Sequence, residues 1–387
     1  MESPGNPQDQ YYQNKFDLGE LIDKKIHSED HYNYLQSVDY KYNIRGWLTE
    51  INDVSDLGDD NDAFGLKLLY NEEISGLNNN GLFNGNISSG IWCDAMDQSL
   101  QNAYTYTYDD LNRLTESKLH INSTGSWSDS WNFSEYSYDK NGNLTWLTRF
   151  DESGNYMDDL EYSYLDNGAS NQINYVDDSC GNPTKGFIYN NTLHTSYVYN
   201  ENGNLETDQD KQIDIEYNYL NLPEKISSNK PGNSDEIHYI YDASGVKWQK
   251  QSMYDTTTYI GSHVYKGESG NMSLDYVLHP EGMIKMNPGN DPIYYYYLKD
   301  HLGNTRVTIA DINGDHVFTP TTEILQTADY YPFGLQHPGG TSSIDNKYLY
   351  NGKELQDDQM GGIVLGYTIT EHGFMTQQLA GGMWWIR

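Results

Sequence analysis

One frame recurs along this sequence, and its recurrence limits the possible folds more than any other feature. The frame is Y-x-Y-[DN]-x-x-[GN]-x-[LW]-x, and looser copies start at Tyr162 and Tyr217. The five closer copies are YKYNIRGWLTEI from Tyr40, YTYDDLNRLTES from Tyr106, YSYDKNGNLTWL from Tyr136, YVYNENGNLETD from Tyr197 and YIYDASGVKWQK from Tyr239. Repetition at intervals of a few tens of residues indicates an array of stacked structural units.

Each copy of the frame is predicted to form a strand, a tight turn and a second strand. The two tyrosines lie two residues apart, so both rings point to the same face of a strand. The Asp or Asn that follows can accept a backbone hydrogen bond, and the Gly or Asn three residues later tolerates a positive φ. Unrelated hairpins would not repeat all of these elements. We therefore expect antiparallel hairpins to dominate residues 36–360, with turns at Gly142, Gly203, Gly245 and Gly303.

The charge of the chain argues against two classes of partner. Lys and Arg number 23 against 57 Asp and Glu, which gives a formal net charge of -34. Such a chain repels phosphate backbones and anionic lipid, so we expect neither nucleic-acid binding nor attraction to a membrane surface. Aromatic residues make up 14% of the sequence, which argues against a disordered chain.

The sequence has few features of a secreted disulfide scaffold or of a membrane protein. We find no apolar window long enough for a transmembrane helix, and we predict no membrane insertion. Residues 1–20 lack the basic and apolar regions of an export signal. Cys93 and Cys180 are the only cysteines, and we expect them to be isolated thiols rather than a bridge.

We predict no catalytic, cofactor-binding or metal-ligating residues and therefore no enzyme. Asp300, His301 and Arg306 are close in sequence, but spacing alone does not make an acid–base site. The acidic stretch 56–65 lacks the residue order of an EF-hand loop, and we interpret it as a solvated loop. DINGD, residues 311–315, reads as a hairpin turn centred on Asn313 and Gly314. The 11 histidines show no paired spacing typical of a zinc site.

The repeat resembles the YD repeat of the bacterial Rhs proteins, and later segments resemble the Rhs repeat-associated core domain. The N-terminal segments at residues 37–52 and 68–92 are similar to the form of these proteins found in Bacteroidetes-type bacteria. The segments that resemble the core domain are YYYYLKDHLGNTRVTIADINGD at 294–315, ADYYPFGLQHPGG at 328–340 and KYLYNGKELQDD at 347–358. The resemblance extends over nearly the whole chain through Gly366.

The resemblance implies an all-β fold in which successive hairpins join into a curved or spiralling sheet. In complete family members this sheet forms a hollow shell around a C-terminal polymorphic toxin, and the core domain closes the shell. Some members release the toxin by aspartyl self-cleavage, but we transfer no catalytic residue to this chain. We divide the chain into a truncated entry to the array (1–35), a YD-repeat sheet (36–290), a core domain (291–366) and an out-of-frame tail (367–387).

The tail from Tyr367 to Arg387 does not match the family ending, which resembles Y-D-Y-G-A-R-x-Y-D-P-x-x-G-R-W. One permitted set of codons for the tail, read from the third base of the first codon, translates as YDYGARFYDPAIGRWNVVDP. Met375-Thr376 forces an Asp in that frame, and residues 383–386 force Val-Val-Asp. We therefore interpret the tail as a frameshift and expect it to be disordered or poorly packed.

These features lead to a functional hypothesis. We expect a non-enzymatic fragment of an Rhs/YD-repeat shell protein whose parent encloses and delivers a C-terminal toxin in competition between bacteria. The parent would act at the cell surface or outside the cell, with the toxin domain and cell-surface glycans as its partners. The alternatives are an adhesin-like repeat protein that binds carbohydrate, and a degraded gene product without a role.

The frameshift interpretation predicts the effects of two changes to the C-terminus. Restoring the frame after Tyr367 returns aromatic rings at alternating spacing, which suits a sheet edge, so the restored protein should resist proteolysis near its C-terminus. Truncation after Gly366 should leave stability unchanged and improve solubility, because it removes the apolar MWWI at 383–386. Urea denaturation and limited proteolysis measure both effects. Unfolding of the truncated chain would contradict the interpretation.

Overall fold

The protein is described by a computed structural model. It describes residues 12–17, 19–28, 33–58, 60–180, 186–188, 196–268, 270–287, 289–370 and 373–376. The chain is divided into two compact units. Unit 1 consists of Met1–Phe133, Ile293–Asp329 and Gly339–Asp345, and unit 2 of Ser134–Pro292, Tyr330–Pro338 and Asn346–Arg387.

Unit 1 is built from antiparallel strands. In it, β1 to β8 pair in chain order, each with the next, and β24 pairs with both β23 and β25. Its elements are β1 (Tyr12–Asp17), β2 (Glu20–Ile26), β3 (Gln36–Tyr42), β4 (Leu48–Ile51), β5 (Phe64–Leu69), β6 (Ser89–Asp94), β7 (Gln101–Tyr108), β8 (Leu114–Asn122), residues 127–133 of β9 (Trp127–Tyr138), β23 (Ile293–Lys299), β24 (Thr305–Ile309), α2 (Pro320–Glu323) and β25 (Ile324–Thr327).

Unit 2 is also built from antiparallel strands that pair in chain order. Each strand from β9 to β12 pairs with the next, and so does each strand from β13 to β22. Its elements are residues 134–138 of β9, β10 (Leu144–Phe150), β11 (Tyr156–Tyr164), α1 (Leu165–Gly168), β12 (Ile173–Asp178), β13 (Val198–Tyr199), β14 (Leu205–Asp208), β15 (Ile213–Tyr217), β16 (Pro223–Ser228), β17 (Glu236–Tyr241), β18 (Lys247–Gln251), β19 (Thr256–Ile260), β20 (His263–Glu268), β21 (Asn271–His279), β22 (Gly282–Lys285), a 3-10 turn (Pro332–Gly334), β26 (Leu355–Gln356), β27 (Gln359–Met360), β28 (Ile363–Val364), β29 (Tyr367–Thr370) and β30 (Gly373–Thr376). The predicted all-β fold of antiparallel hairpins is confirmed.

The turns of the repeat follow one hydrogen-bonding scheme. In the third copy, Oδ1 of Asp139 accepts the N–H of Asn141 at 2.8 Å and that of Asn143 at 2.9 Å. Gly142 has φ 91° and donates to the Asp139 carbonyl. The same double acceptance occurs at Asn43, Asp109, Asp151, Asn200, Asn218, Asp242 and Asp300. The four predicted turn glycines, Gly142, Gly203, Gly245 and Gly303, all have positive φ, at 91°, 83°, 84° and 82°.

The tyrosine before the turn has a role of its own. Its hydroxyl donates to the backbone carbonyl at or near the start of the preceding strand, as in Tyr108 to Ile87 at 2.9 Å and Tyr164 to Leu144 at 2.7 Å. Burial raises the pKa of Tyr108 to about 12, so this hydroxyl remains a donor at neutral pH. The same contact is made by Tyr42, Tyr70, Tyr199 and Tyr217. This tyrosine therefore fastens most of these hairpins to the previous strand, whereas the Tyr241 hydroxyl is buried without a partner in the described chain.

Unit 1 has a continuous apolar core, and the acidic stretch 56–65 contributes to it. Leu57 is 2% exposed, Ala63 0% and Phe64 2%. The interpretation of this stretch as a solvated loop holds for its first half only, where Asp56, Gly58, Asp60 and Asn61 are exposed, and is wrong for residues 62–65, which are buried. Cys93 is a buried thiol and the Cys180 thiol donates to Asp178 Oδ1 at 3.1 Å, so the two cysteines do not form a bridge, as predicted.

DINGD does not form the predicted two-residue hairpin turn. β24 ends at Ile309 and β25 begins at Ile324, so DINGD lies at the start of a longer connection. Gly314 has φ 72° and His316 has φ 60°. The positive φ values fall two residues apart rather than on the adjacent central pair that a type I′ turn requires.

The start of the tail forms paired backbone. β29 pairs with β30, and Leu355 of β26 pairs with Thr368. The residues Tyr-Thr-Ile-Thr at 367–370 include three β-branched side chains, a composition that suits a strand. Residues 371, 372 and 377–387 lie outside the described residues, so the frameshift remains a prediction.

Burial of one acidic side chain in unit 1 predicts a pH-dependent stability. Asp62 is 5% exposed, and within the described chain its Oδ1 has no hydrogen-bond partner. Burial, reinforced by Asp60, Asp39 and Asp53, raises the pKa of Asp62 to about 7. Because this pKa exceeds the unfolded value, ionisation destabilises the fold, and stability is lost as the pH rises from about 4 through 7.

Asp62→Asn should therefore stabilise the protein more at pH 8 than at pH 5. The roughly two pH units between pH 5 and the raised pKa set an upper limit of about 3 kcal/mol on the difference. Urea denaturation at the two pH values measures it, with Asp110→Asn at an exposed turn as the control. Equal effects of the Asp62 substitution at both pH values would contradict the assigned protonation.

Candidate functional site

One face of β17 to β19 in unit 2 buries polar side chains. Tyr239 lies opposite Lys250 in the strand register, and Lys250 lies opposite Thr257. Tyr239 is 2% exposed, Lys250 8% and Thr257 7%. Buried polar groups of this kind need hydrogen-bonding partners. Residues 346–366, which we call the strap, lie on this face and provide partners for Tyr239 and Lys250.

Glu354 of the strap forms the most strongly charged contact with the sheet. Its carboxylate accepts Lys247 Nζ at 2.6 Å and the Tyr259 hydroxyl at 2.9 Å. The Lys247 ammonium also lies 4.5 Å from the centre of the Tyr259 ring. Burial acts to raise the pKa of Glu354, but Lys247 and Lys250 outweigh it, so the pKa is lowered. Glu354 is therefore a half-buried anion that is paired with Lys247 and further stabilised by the charge of Lys250.

Two further strap residues continue the pattern at alternate positions. Gln356 is fully buried and its Oε1 accepts the Tyr239 hydroxyl at 3.2 Å. Asp358 accepts Lys250 Nζ at 3.0 Å. Alternate residues of an extended chain point to one side, which explains why residues 354, 356 and 358 all face the sheet.

The C-terminal end of the strap is fastened through its backbone. Gly361 donates its N–H to Asp235 Oδ2 at 2.8 Å, and its carbonyl accepts Lys230 Nζ at 2.7 Å. The buried Lys211 ammonium donates to the Leu365 carbonyl. Burial lowers the pKa of Lys211 to about 8. The strap therefore has charged attachments along most of its length.

The YPFG turn positions a second set of contacts in unit 2. Phe333 has φ 67°, which is unusual for a side chain of this size. Its ring packs edge-on against Tyr136 at 5.2 Å between centroids. Gly334 has φ 90°, and a Cβ there would lie 1.9 Å from the Tyr350 ring. The chain bends after Pro332, and only glycine fits at residue 334.

Within unit 1 the structure places Arg306 Nη1 3.9 Å from Asp300 Oδ2, but each of these residues also has a structural contact of its own. Asp300 caps a turn through the N–H groups of residues 302 and 304, and His301 is exposed. The Arg306 guanidinium lies 4.8 Å from the Trp92 ring centre, and its Nε donates to the Ala328 carbonyl at 2.8 Å. These contacts are those of a turn and a packed cation.

A cavity of about 340 Å³ beside the strap is lined by several carboxylates. Asp358 pairs with Lys250 at 3.0 Å. Asp255 pairs with Lys266 at 3.1 Å, and Glu236 of the lining pairs with Lys225 at 2.8 Å. The cavity is therefore bordered by an ion-pair network.

Sequence reasoning missed the polar face of the strap. The sequence pattern that could have indicated this face is E-L-Q-D-D at 354–358, in which the polar residues at alternate positions face the sheet. Their partners, including Lys247 and Lys250, lie about a hundred residues earlier, and no local pattern indicates that pairing.

Breaking the Glu354–Lys247 pair should destabilise unit 2. Glu354→Gln leaves the half-buried Lys247 ammonium without its counter-ion, which should cost more than the loss of an exposed pair but less than the roughly 3–5 kcal/mol of a fully buried pair. Lys225→Met, at the more exposed Lys225–Glu236 pair, should cost less than about 1 kcal/mol. Urea denaturation measures both variants, and Lys247→Met/Glu354→Leu should recover part of the loss. Equal, small losses for the two single variants would show that the strap contact contributes little.

Comparison with known proteins gives a fold relationship. No protein-family model and no curated protein matches this sequence. The crystal structure of TcdB2-TccC3 matches with TM-score 0.53 and 13% identity, covering 97% of this chain and 20% of that chain. TcdB2-TccC3 without its hypervariable C-terminal region gives TM-score 0.52 and 12% identity, covering 95% and 19%. This chain thus spans about a fifth of the length of these structures and shares their fold.

Proposed function

We propose that this chain is a wall segment of a shell-type protein whose parent encloses and delivers a C-terminal toxin in competition between bacteria. The observation that supports this most is pairing in chain order, because a wall built in this way lengthens by the addition of hairpins. The fold shared with TcdB2-TccC3 and the resemblance to Rhs proteins support the same proposal.

The proposed role of the chain is containment rather than catalysis. Half-buried carboxylates of the strap are neutralised by lysines, as in the Glu354–Lys247 pair, which suits a structural contact. The partner in the parent would be its own C-terminal toxin domain, and the parent would act at the cell surface or outside the cell. In the part of the chain that the structure describes, no helix is long and apolar enough to cross a bilayer.

Exposed aromatic residues favour carbohydrate binding as a second candidate function. Trp248 is 59% exposed and Tyr254 is 76% exposed in unit 2. Aromatic rings with a free face can pack against sugar rings. A degraded gene product without a role would show neither containment nor binding.

Protease protection of the parent tests the containment proposal. The parent is expressed with its reading frame restored after Tyr367 and with the downstream coding sequence included. Its C-terminal segment should survive protease that digests the same segment expressed alone. Loosening the strap with Glu354→Ala/Gln356→Ala should remove the protection, whereas the surface variant Lys225→Met should retain it. Digestion of the enclosed and isolated segments at equal rates would refute containment.

A glycan array separates the second candidate from the first. If the chain is an adhesin, the purified protein binds defined glycans and Trp248→Ala weakens that binding. Our proposal predicts protection of the C-terminal segment whether or not Trp248 is replaced.

A further inference from the structure

The connection between β24 and β25 in unit 1 is folded by one aspartate. Asp311 Oδ1 accepts the N–H of Gly314 at 2.7 Å, and Oδ2 accepts the N–H of His316 at 3.0 Å. The positive φ of Gly314 and His316 lets the chain wrap around this carboxylate. As a result, one carboxylate oxygen from each of Asp311, Asp315 and Glu323 lies within 4.8 Å of the others.

The third member of this group is fully buried. Glu323 is 0% exposed, and its Oε2 accepts the Thr319 N–H at 2.7 Å. Within the described part of the chain, the buried Oε1 has no hydrogen-bond partner. A buried carboxylate oxygen without a partner is costly. The site therefore contains an unused ligand atom next to two further carboxylates.

The electrostatic environment also favours a bound cation. Three carboxylates lie close together here, and a divalent cation would offset their mutual repulsion. The charged neighbours of Asp311 on the other side are His27, 3.9 Å away, and His316, 3.2 Å away. The side chain of Asp311 is only 2% exposed, so water screens this group poorly.

We propose that Asp311, Asp315 and Glu323 form a binding site for Ca²⁺. Calcium takes oxygen ligands at about 2.3–2.6 Å, so opposite ligands lie about 4.6–5.2 Å apart. The three carboxylate oxygens lie within 4.8 Å of one another, which is close enough for all three to contact one such ion. Backbone carbonyls and water would complete the coordination.

The local sequence supports the same cation. Asp311, Asn313 and Asp315 follow the D-x-N-x-D spacing of calcium loops. The following glycine and glutamate are displaced from their EF-hand positions, with Glu323 one residue later than in that motif. This displacement explains why the sequence predicted no metal ligand. In the folded chain the short helix α2 brings Glu323 back to the two aspartates.

The nearby histidines are better suited to a supporting role. His27, Asp311 and His316 also lie within 4.8 Å of one another. Zinc binds nitrogen and oxygen at about 2.0–2.2 Å in tetrahedral sites, and the 3.9 Å between His27 Nε2 and Asp311 is long for such a site. His27 Nδ1 is also paired with the Tyr296 hydroxyl at 3.0 Å. Zinc binding is therefore an outcome that the test must distinguish.

Titration of the full chain with CaCl2 after EDTA treatment tests the site. Isothermal titration calorimetry should show one calcium ion bound per chain, and calcium should raise the melting temperature. Asp311→Asn and Glu323→Gln should each weaken calcium binding by at least about tenfold. Asp110→Asn, an exposed aspartate of the same unit, should bind calcium as the parent does.

Glu323→Gln also separates loss of a ligand from loss of the fold. It removes a repelling charge, so without calcium this variant should melt at or above the temperature of the parent, and calcium should no longer raise it. Absence of calcium binding at millimolar concentration, or unchanged binding by Glu323→Gln and Asp311→Asn, would overturn the proposal. Binding of ZnCl2 that His316→Ala abolishes, without calcium binding, would also overturn it and would assign a histidine site.

Discussion

The hairpins of this protein depend on one side-chain oxygen, that of the Asp or Asn after the second tyrosine. By accepting two backbone N–H groups, this oxygen closes the turn without help from distant residues, as Asp139 does. The preceding tyrosine then donates its hydroxyl to the previous hairpin, as Tyr108 does beside Asp109. The two adjacent residues therefore connect a local turn to the growing sheet, and the rest of the fold depends on this connection.

Most of the fold could be predicted because its contacts are local. The tyrosine spacing, the turn acceptor and the positive-φ glycine all act within ten residues, so one frame predicts the hairpin wherever it occurs. An eighth turn, at Asp151, lacks the Y-x-Y part of the frame and was missed, although Asp151 is three residues before Gly154. The acceptor and the glycine alone were enough to close that turn.

The features that escaped prediction depend on distant residues. The strap contacts join Glu354 and Gln356 to strands about a hundred residues earlier. Asp62 has a raised pKa only because folding buries it among other carboxylates. Glu323 meets Asp311 because the connection between two strands folds back on itself. In each case the sequence shows a charged residue, and only the fold decides what surrounds it.

Pairing in chain order has a consequence for synthesis on the ribosome. In the array from β13 to β22, each strand needs only the strand before it, so it finds its partner as soon as it leaves the exit tunnel. Low contact order of this kind favours fast folding. Residues 346–366 behave differently, because their partners on β17 to β19 are made long before them. That polar face must therefore remain exposed during translation until the strap emerges, and chaperones could act during this interval.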